Sequence, residues 1–204
     1  MLPTCLVTGA SSFVARALVP RLAQTHRLRL LVRPGQRLAH FASIPHERVE
    51  GRLEDEAALA AGLRGVDVVV HLAAIVSFCH EDRQRMFAVN EEGTQRLLQL
   101  SLAAGVRRAL HVSTISAVGY TDAPRERDER APYNGGPLRI GYSDSKRAAE
   151  ERALEACRDG LEVVIVNPPS MYGAGDRRKG DASLLGAVME GRVRVAPPGG
   201  TNVV

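Results

Sequence analysis

Lysine is almost missing from this chain. Of its 27 Lys plus Arg residues only two are lysine, Lys146 and Lys179, so arginine supplies the general basicity and each lysine stands out. Cysteine is as sparse: Cys5, Cys79 and Cys157 lie far apart, with no C-x-x-C pair and no histidine cluster beside them. That spacing argues against a disulfide framework and a metal site, and fits reduced thiols in a reducing compartment. Four Phe and four Tyr are few for stacking on bases, and the net charge of +4 is interleaved with Asp and Glu except around Arg177, Arg178 and Lys179. Solvated surface charge follows, with no nucleic-acid partner. No apolar run is long enough to span a bilayer, and no charged segment precedes a long apolar one at the N-terminus. A soluble, cytoplasmic chain with no membrane partner is expected.

With 45% hydrophobic content, 204 residues suffice for one domain or slightly more. Short β-branched or Leu-rich runs alternate with longer helical patterns, and neither repeats nor low-complexity segments interrupt them. Strands are expected at 4–8, 27–32, 48–50, 66–72, 109–113 and 162–166, and helices at 12–24, 54–63, 81–104 and 143–157. Helical crossovers of this length join parallel strands in a right-handed sense. The run "VVVHLAA" is apolar on both faces, as a central strand covered on both sides requires. The expected fold is therefore α/β, a doubly wound parallel sheet that binds ligands at the carboxyl ends of its strands. Residues 121–137, with three prolines and two adjacent glycines, read as a long surface loop. From Pro197 the tail "PPGGTNVV" stops soon after a turn signal, at what reads as the start of another strand. The chain is expected to be cut short, with a dinucleotide-binding domain at 1–166 and only the start of a substrate-binding region at 167–204.

The segment "CLVTGASSFVARALVPRL" reads as strand, tight turn and helix. Gly9 suits a turn that excludes Cβ, and the following helix offers its unpaired N–H groups and dipole to a pyrophosphate. Gly9, Ser11, Ser12, Phe13 and Val14 are the candidate cradle. In the Rossmann fingerprint a second and a third glycine follow, for phosphate approach and for helix–strand packing. Here those places hold Ser12 and Ala15, and the Ser12 side chain is expected to stand where the pyrophosphate lies. After the second strand comes Arg33, with Arg37 nearby, where an acidic residue would accept from the ribose of NAD. A guanidinium there pairs with the 2′-phosphate of NADP, so NADP is favoured, with NAD left open.

Tyr142 and Lys146 are four apart at the start of a helical pattern and share a face. An ammonium and a positively charged nicotinamide ring nearby would stabilise the phenolate, poising Tyr142 to relay a proton. Ser113 and Thr114, at the end of the preceding central strand, offer a hydroxyl for the substrate oxygen.

These segments, taken in order, resemble the extended short-chain dehydrogenase/reductase family. "VTGASSFVARALV" is similar to its T-G-x-x-G-x-x-G opening, "GVDVVVHLAA" to its fourth strand and "FAVNEEGTQRLLQL" to its V-N-x-x-G-T helix. "VSTISAVG", "YSDSK" and "NPPSMYGAGD" resemble its catalytic serine segment, Y-x-x-x-K and R-P-x-x-x-Y-G-P-G-D. The resemblance implies a Rossmann fold, with Tyr142 as acid/base and Lys146 holding the nicotinamide ribose while lowering the tyrosine's pKa. It implies Thr114, or else Ser113, as the residue that orients the substrate oxygen. It adds Leu72, Ala73, Ala74, Asn90, Pro168 and Ser170 to the cofactor-binding candidates, with His71 in the same stretch, and implies a small-molecule substrate and a homodimer through the two long helices. Departures are Ser12 and Ala15 for glycines, Arg52 for an Asp near the adenine, and Asn167 for an Arg. The resemblance implies an oxidoreductase passing hydride between NADP(H) and a carbonyl or secondary alcohol. A nucleotide-sugar epimerase using NAD and a non-catalytic dinucleotide-binding protein remain the alternatives. "STISAVG" lacks the acidic pair of the sugar-nucleotide dehydratases, and "GGTNVV" is closer to the 3β-hydroxysteroid-dehydrogenase-like and dihydroflavonol-reductase-like members.

Overall fold

The computed structural model describes residues 1–121, 126–173, 184–193, 200 and 202–204. They fall into two compact units, Met1–Asn167 and Pro168–Val204. In the first, six strands form one sheet: β1 (Thr4–Thr8), β2 (Arg27–Val32), β3 (His46–Glu50), β4 (Val68–His71), β5 (Arg108–Val112) and β6 (Glu162–Val166). All five pairings are parallel, in the order β3-β2-β1-β4-β5-β6. The order reverses between β1 and β4, which puts the ligand-binding crevice of such a sheet at the carboxyl ends of those two strands. Helices α1 (Phe13–Leu22), α2 (Glu56–Leu63), α3 (Arg83–Met86), α4 (Gly93–Ala103) and α5 (Gly141–Arg158) belong to the same unit. The second unit holds α6 (Leu184–Met189) and a parallel bridge between Ser170 and Val203.

Successive strand residues face opposite sides of the sheet, so each central strand feeds two cores. Leu6, Val69 and Ala109 pack with Leu59, Leu63, Leu97, Leu98 and Ala153 on one side. Cys5, Val7, Leu30 and Val70 pack with Ala15, Val19 and Phe41 on the other. This double burial explains why "VVVHLAA" has no polar face.

Two residues beyond the Leu6–Val69–Ala109 row, on the same side, lies a polar row. Thr8, His71 and His111 occupy paired register positions on β1, β4 and β5, and all three are buried. Thr94 Oγ1 donates to the Asn90 carbonyl at 2.5 Å. Its oxygen can therefore only accept from His71 Nε2, 2.9 Å away, which places the His71 proton on Nε2. His71 Nδ1 then accepts from Thr8 Oγ1 at 2.6 Å, and Thr8 Oγ1 accepts from the Ala73 N–H at 3.3 Å. Every polar atom of His71 is satisfied in its neutral form.

The expected helix at 81–104 is broken. A short 3-10 turn (His80–Asp82) and α3 lead into a π-helical turn over Phe87–Glu92 before α4 begins. The helical period continues across the segment, so periodicity could not locate the turn; what it does is place Asn90 inward. Strand β4 is shorter than the expected 66–72, because Gly65 (φ 64°) and the Val66 N–H bond to Leu63 close a turn that runs up to Asp67. Within the expected loop 121–137, the described part carries a turn closed by the Ala131 N–H on the Asp128 carbonyl and a 3-10 turn, Gly136–Leu138. Helix α6 had no counterpart in the sequence reading.

Unfolded histidines take up a proton near pH 6.5. Burial first, and the Lys146 charge second, lower His71 to about 3 and push His111 well below its ordinary value. The unfolded chain thus binds more protons below pH 6.5, and stability is expected to fall with pH from there by up to ~1.4 kcal/mol per unit for each histidine. Urea unfolding at pH 7.5, 6.5, 5.5 and 5.0 measures this; a flat profile would contradict neutral burial.

Candidate functional site

At the carboxyl end of β1 the chain turns tightly, with the Ser12 N–H bonding the Gly9 carbonyl at 2.9 Å. Gly9 has φ 68°, and a Cβ there would lie 2.6 Å from the Ala73 nitrogen and the Leu72 carbonyl carbon. Only glycine fits, because the turn is pressed against the chain leaving β4. The Leu72 N–H bonds the Thr8 carbonyl at 3.2 Å, and with the Ala73 bond to Thr8 Oγ1 it keeps Leu72 and Ala73 alongside the turn. Ala74 follows, half-buried.

Ser12 is the N-cap of α1: its Oγ accepts from the Ala15 N–H at 3.1 Å. The side chain expected in the phosphate's place has its hydroxyl engaged with the helix end. Ala15 is fully buried against Val7 and Val19, where the third motif residue must be small. Ser11 is exposed, and Phe13 and Val14 are half-buried. Arg33 and Arg37, after β2, and Arg52, after β3, are exposed and make no ion pair among the described residues.

The second half of the site lies at the end of β5. Thr114 caps the 3-10 turn Ile115–Ala117, its Oγ1 accepting from the Ser116 N–H at 3.3 Å. Its carbonyl accepts from Asn167 Nδ2 at 3.0 Å, and Asn167 Nδ2 also bonds Glu150 Oε1 at 2.5 Å. The Thr114 hydroxyl is near enough to the Tyr142 phenol to lower its pKa. Ser113 Oγ is buried and has no hydrogen-bond partner among the described residues.

The expected lowering of the Tyr142 pKa by Lys146 is absent. Burial raises the phenol, the Thr114 hydroxyl opposes it, and among the described residues Lys146 does not enter. The reason is where the ammonium goes: Lys146 Nζ donates to the Val112 carbonyl at 2.9 Å and lies 3.4 Å from His111 Nε2. It is only 2% exposed, and burial lowers it to about 8 against the opposing pull of Glu150. The i,i+4 spacing puts both residues on one face, while the long lysine stem carries its charge down to the sheet.

Asn90, expected among the cofactor-binding residues, is buried and engaged within the protein. Its Oδ1 accepts from the Ile75 N–H at 2.7 Å, and Nδ2 donates to the Ile75 carbonyl at 2.9 Å and to Ser145 Oγ at 3.0 Å. His71 likewise lies in the polar row beneath the crevice. Pro168 and Ser170 belong to the second unit, where the Ser170 carbonyl accepts from the Val204 N–H at 3.0 Å.

Several residues escaped the sequence reading. Tyr133 Oη donates to Asp144 Oδ1 at 2.8 Å and Arg83 Nη1 to Asp144 Oδ2 at 2.7 Å, fastening the first turn of α5. Tyr120 Oη lies 2.8 Å from Ser143 Oγ, and Phe78, 81% exposed, meets the Tyr142 ring edge-on at 6.4 Å. His111 did leave a signal: one histidine interrupts each of two neighbouring apolar strands, "VVVHL" and "ALHVS".

If Ser12 serves as a cap, Ser12→Ala costs about 1 kcal/mol in urea unfolding and Ser12→Gly only a few tenths. Equal losses would remove the capping role.

The family described as NAD dependent epimerase/dehydratase matches residues 5–195. The chain is 36% identical to the sterol demethylase protein B of Methylococcus capsulatus, over 98% of this chain and 62% of that protein. It is 32% identical to a 3 beta-hydroxysteroid dehydrogenase/Delta 5-->4-isomerase of Mycobacterium tuberculosis, over 93% of this chain and 52% of that one. The solved dTDP-glucose 4,6-dehydratase DesIV of Streptomyces venezuelae, with NAD and TYD bound, superposes with a TM-score of 0.79 at 27% identity, covering 92% of this chain and 62% of that one. The chain thus spans between 52% and 62% of the length of these proteins. With the switch-point crevice and a match running over nearly all its residues, the chain belongs to the NAD-dependent epimerase/dehydratase family of extended short-chain dehydrogenase/reductases.

Proposed function

We propose that the chain forms the cofactor-binding and proton-transfer part of an oxidoreductase that moves a hydride between NADP(H) and a carbonyl or secondary alcohol of a small organic substrate. The observation that carries this reading is the meeting of Thr114 and Tyr142 at the carboxyl end of β5, where the threonine hydroxyl lowers the phenol's pKa, one helical turn from Lys146 and its buried ammonium. The bound dinucleotide supplies or accepts the hydride.

The residues suit such a group. The glycine-only turn at Gly9, with Ser11, Phe13 and Val14 beyond it, presents the start of α1 to a pyrophosphate. Leu72, Ala73 and Ala74 form the adjoining wall, and Lys146 offers charge on the nicotinamide side. Arg33 and Arg37 favour NADP over NAD, since they lack ion-pair partners among the described residues and no acid stands beside them to receive a ribose hydroxyl. Pro168 and Ser170 are assigned to the cofactor on the family pattern alone. Ser12 and Asn90 act behind the surface, one on the helix end and one through Ile75.

Tyr142 acts as the acid. Its phenol, raised by burial, is protonated at neutral pH and donates to the oxygen of a carbonyl under reduction. Thr114 orients that oxygen, with Ser113 as the alternative hydroxyl. Exposed Val76 and Phe78 on the loop after β4 favour an apolar substrate body over a nucleotide sugar.

Calorimetric titration tests the cofactor half. NADPH binds about tenfold or more tightly than NADH, and Arg33→Ala with Arg37→Ala removes the difference; binding of neither nucleotide would overturn the reading. Tyr142→Phe lowers kcat by about two orders of magnitude or more on an identified substrate, with NADPH affinity little changed. Full turnover would remove the proton role, and retained NAD without net NADPH consumption would favour the epimerase instead.

A further inference from the structure

His111 takes no part in the function proposed above, yet it is fully buried and lies directly under the lysine. Its Nε2 is 3.4 Å from Lys146 Nζ, and its Nδ1 has no hydrogen-bond partner among the described residues. A charged ammonium has no lone pair, so contact with it requires the Nε2 lone pair and puts the imidazole proton on Nδ1. The unpartnered Nδ1 is therefore the consequence of serving the lysine. Neighbouring His71, its ring centroid 5.2 Å away, carries its proton on Nε2, so the two histidines hold opposite tautomers. A second proton on His111 would face the ammonium with nothing to accept it.

We propose that His111 is a positioning residue for Lys146: its neutral imidazole, through Nε2, and the Val112 carbonyl together hold the lysine ammonium beneath the carboxyl end of β5. The geometry stands by itself; its bearing on catalysis rests on the role proposed for Lys146. The groups that act on the ammonium are His71 from β4, His111 from β5 and Glu150 on α5, with Glu150 fixed by Asn167 after β6 and paired with Arg147. Glu150 favours the charged form and burial disfavours it, leaving Lys146 near 8. A neutral acceptor at His111 belongs on the same side as Glu150, so its removal favours loss of the proton.

The scarcity of lysine makes this measurable. Protein labelled at lysine 13Cε gives two signals, which Lys179→Arg assigns. His111→Leu is expected to lower the Lys146 midpoint by about one pH unit. His111→Gln, whose amide reaches the place of Nε2, keeps it close to the parent value, and His111→Asn, whose amide reaches only Nδ1, behaves like Leu. A filler role would cost stability in all three without that ordering. An unchanged midpoint in His111→Leu, or equal rescue by Asn and Gln, overturns the proposal. Should His111→Leu not fold, long-range 1H–15N spectra of the parent decide. Nδ1 protonated, with Nε2 following the Lys146 titration, supports it; an Nε2–H tautomer, or protonation of His111 between pH 6 and 8, overturns it. Lys146→Met separates the two readings: unaltered NADPH affinity would sink the cofactor role of Lys146 while leaving the His111 contact intact.

Discussion

A single chain of hydrogen bonds, buried along its middle, ties the two halves of the crevice together. It runs from the Ala73 N–H through Thr8, His71 and Thr94 to the carbonyl of Asn90. From the Asn90 side chain it continues to Ser145, whose hydroxyl donates to the Tyr142 carbonyl at 2.9 Å. The glycine turn and the tyrosine helix are thereby referenced to one another across β1, β4, the π-helical turn and α5. The inner members of this hydrogen-bond chain, Thr8, His71, Thr94, Asn90 and Ser145, are buried, so removing one leaves its neighbour desolvated and unpaired at a cost of about 1–3 kcal/mol. Apolar packing of similar area would hold the layers together but would fix neither the tautomer nor the register.

The π-helical turn follows from that requirement. One extra residue in a helical turn weakens the local ladder, and such turns recur at functional sites. Here it brings Asn90 to Ile75, where one amide side chain bonds both backbone groups of a residue that has left the sheet. The loop that begins at Ile75 goes on to present Val76 and Phe78 beside Tyr142. A distortion within a helix is thus spent on holding a loop in front of the site.

How much of this could be read beforehand depended on range. The strands were legible because buried parallel strands are short apolar runs between turn residues, and three of the six have the bounds read from the sequence, at 4–8, 27–32 and 162–166. The glycine turn and the Tyr142/Lys146 spacing are local and stood out. The Ser12 cap was also local, but the family pattern drew attention to the glycine it replaces and away from the N-cap that Ser ordinarily makes. What could not be read was the destination of long or distant groups. Nothing local says that Asn90 clasps Ile75, that Asn167 reaches both Thr114 and Glu150, or that Lys146 turns to the Val112 carbonyl.

The lysine's position alters the proton logic expected of a Tyr/Lys pair. Spacing alone suggested an ammonium that ionises its neighbour, yet burial moves the two groups in opposite directions, Lys146 down to about 8 and Tyr142 above its ordinary value. Among these two, the lysine gives up its proton first. A phenol in that order remains an acid through the neutral range, so it suits a reaction in which charge develops on a carbonyl oxygen and is met by a proton. Oxidation of an alcohol needs the reverse, a phenolate, and among the described residues Thr114 is the only group that lowers the tyrosine. Positive charge brought close to Tyr142 would have to supply the rest, since the ammonium in its present place is committed to β5.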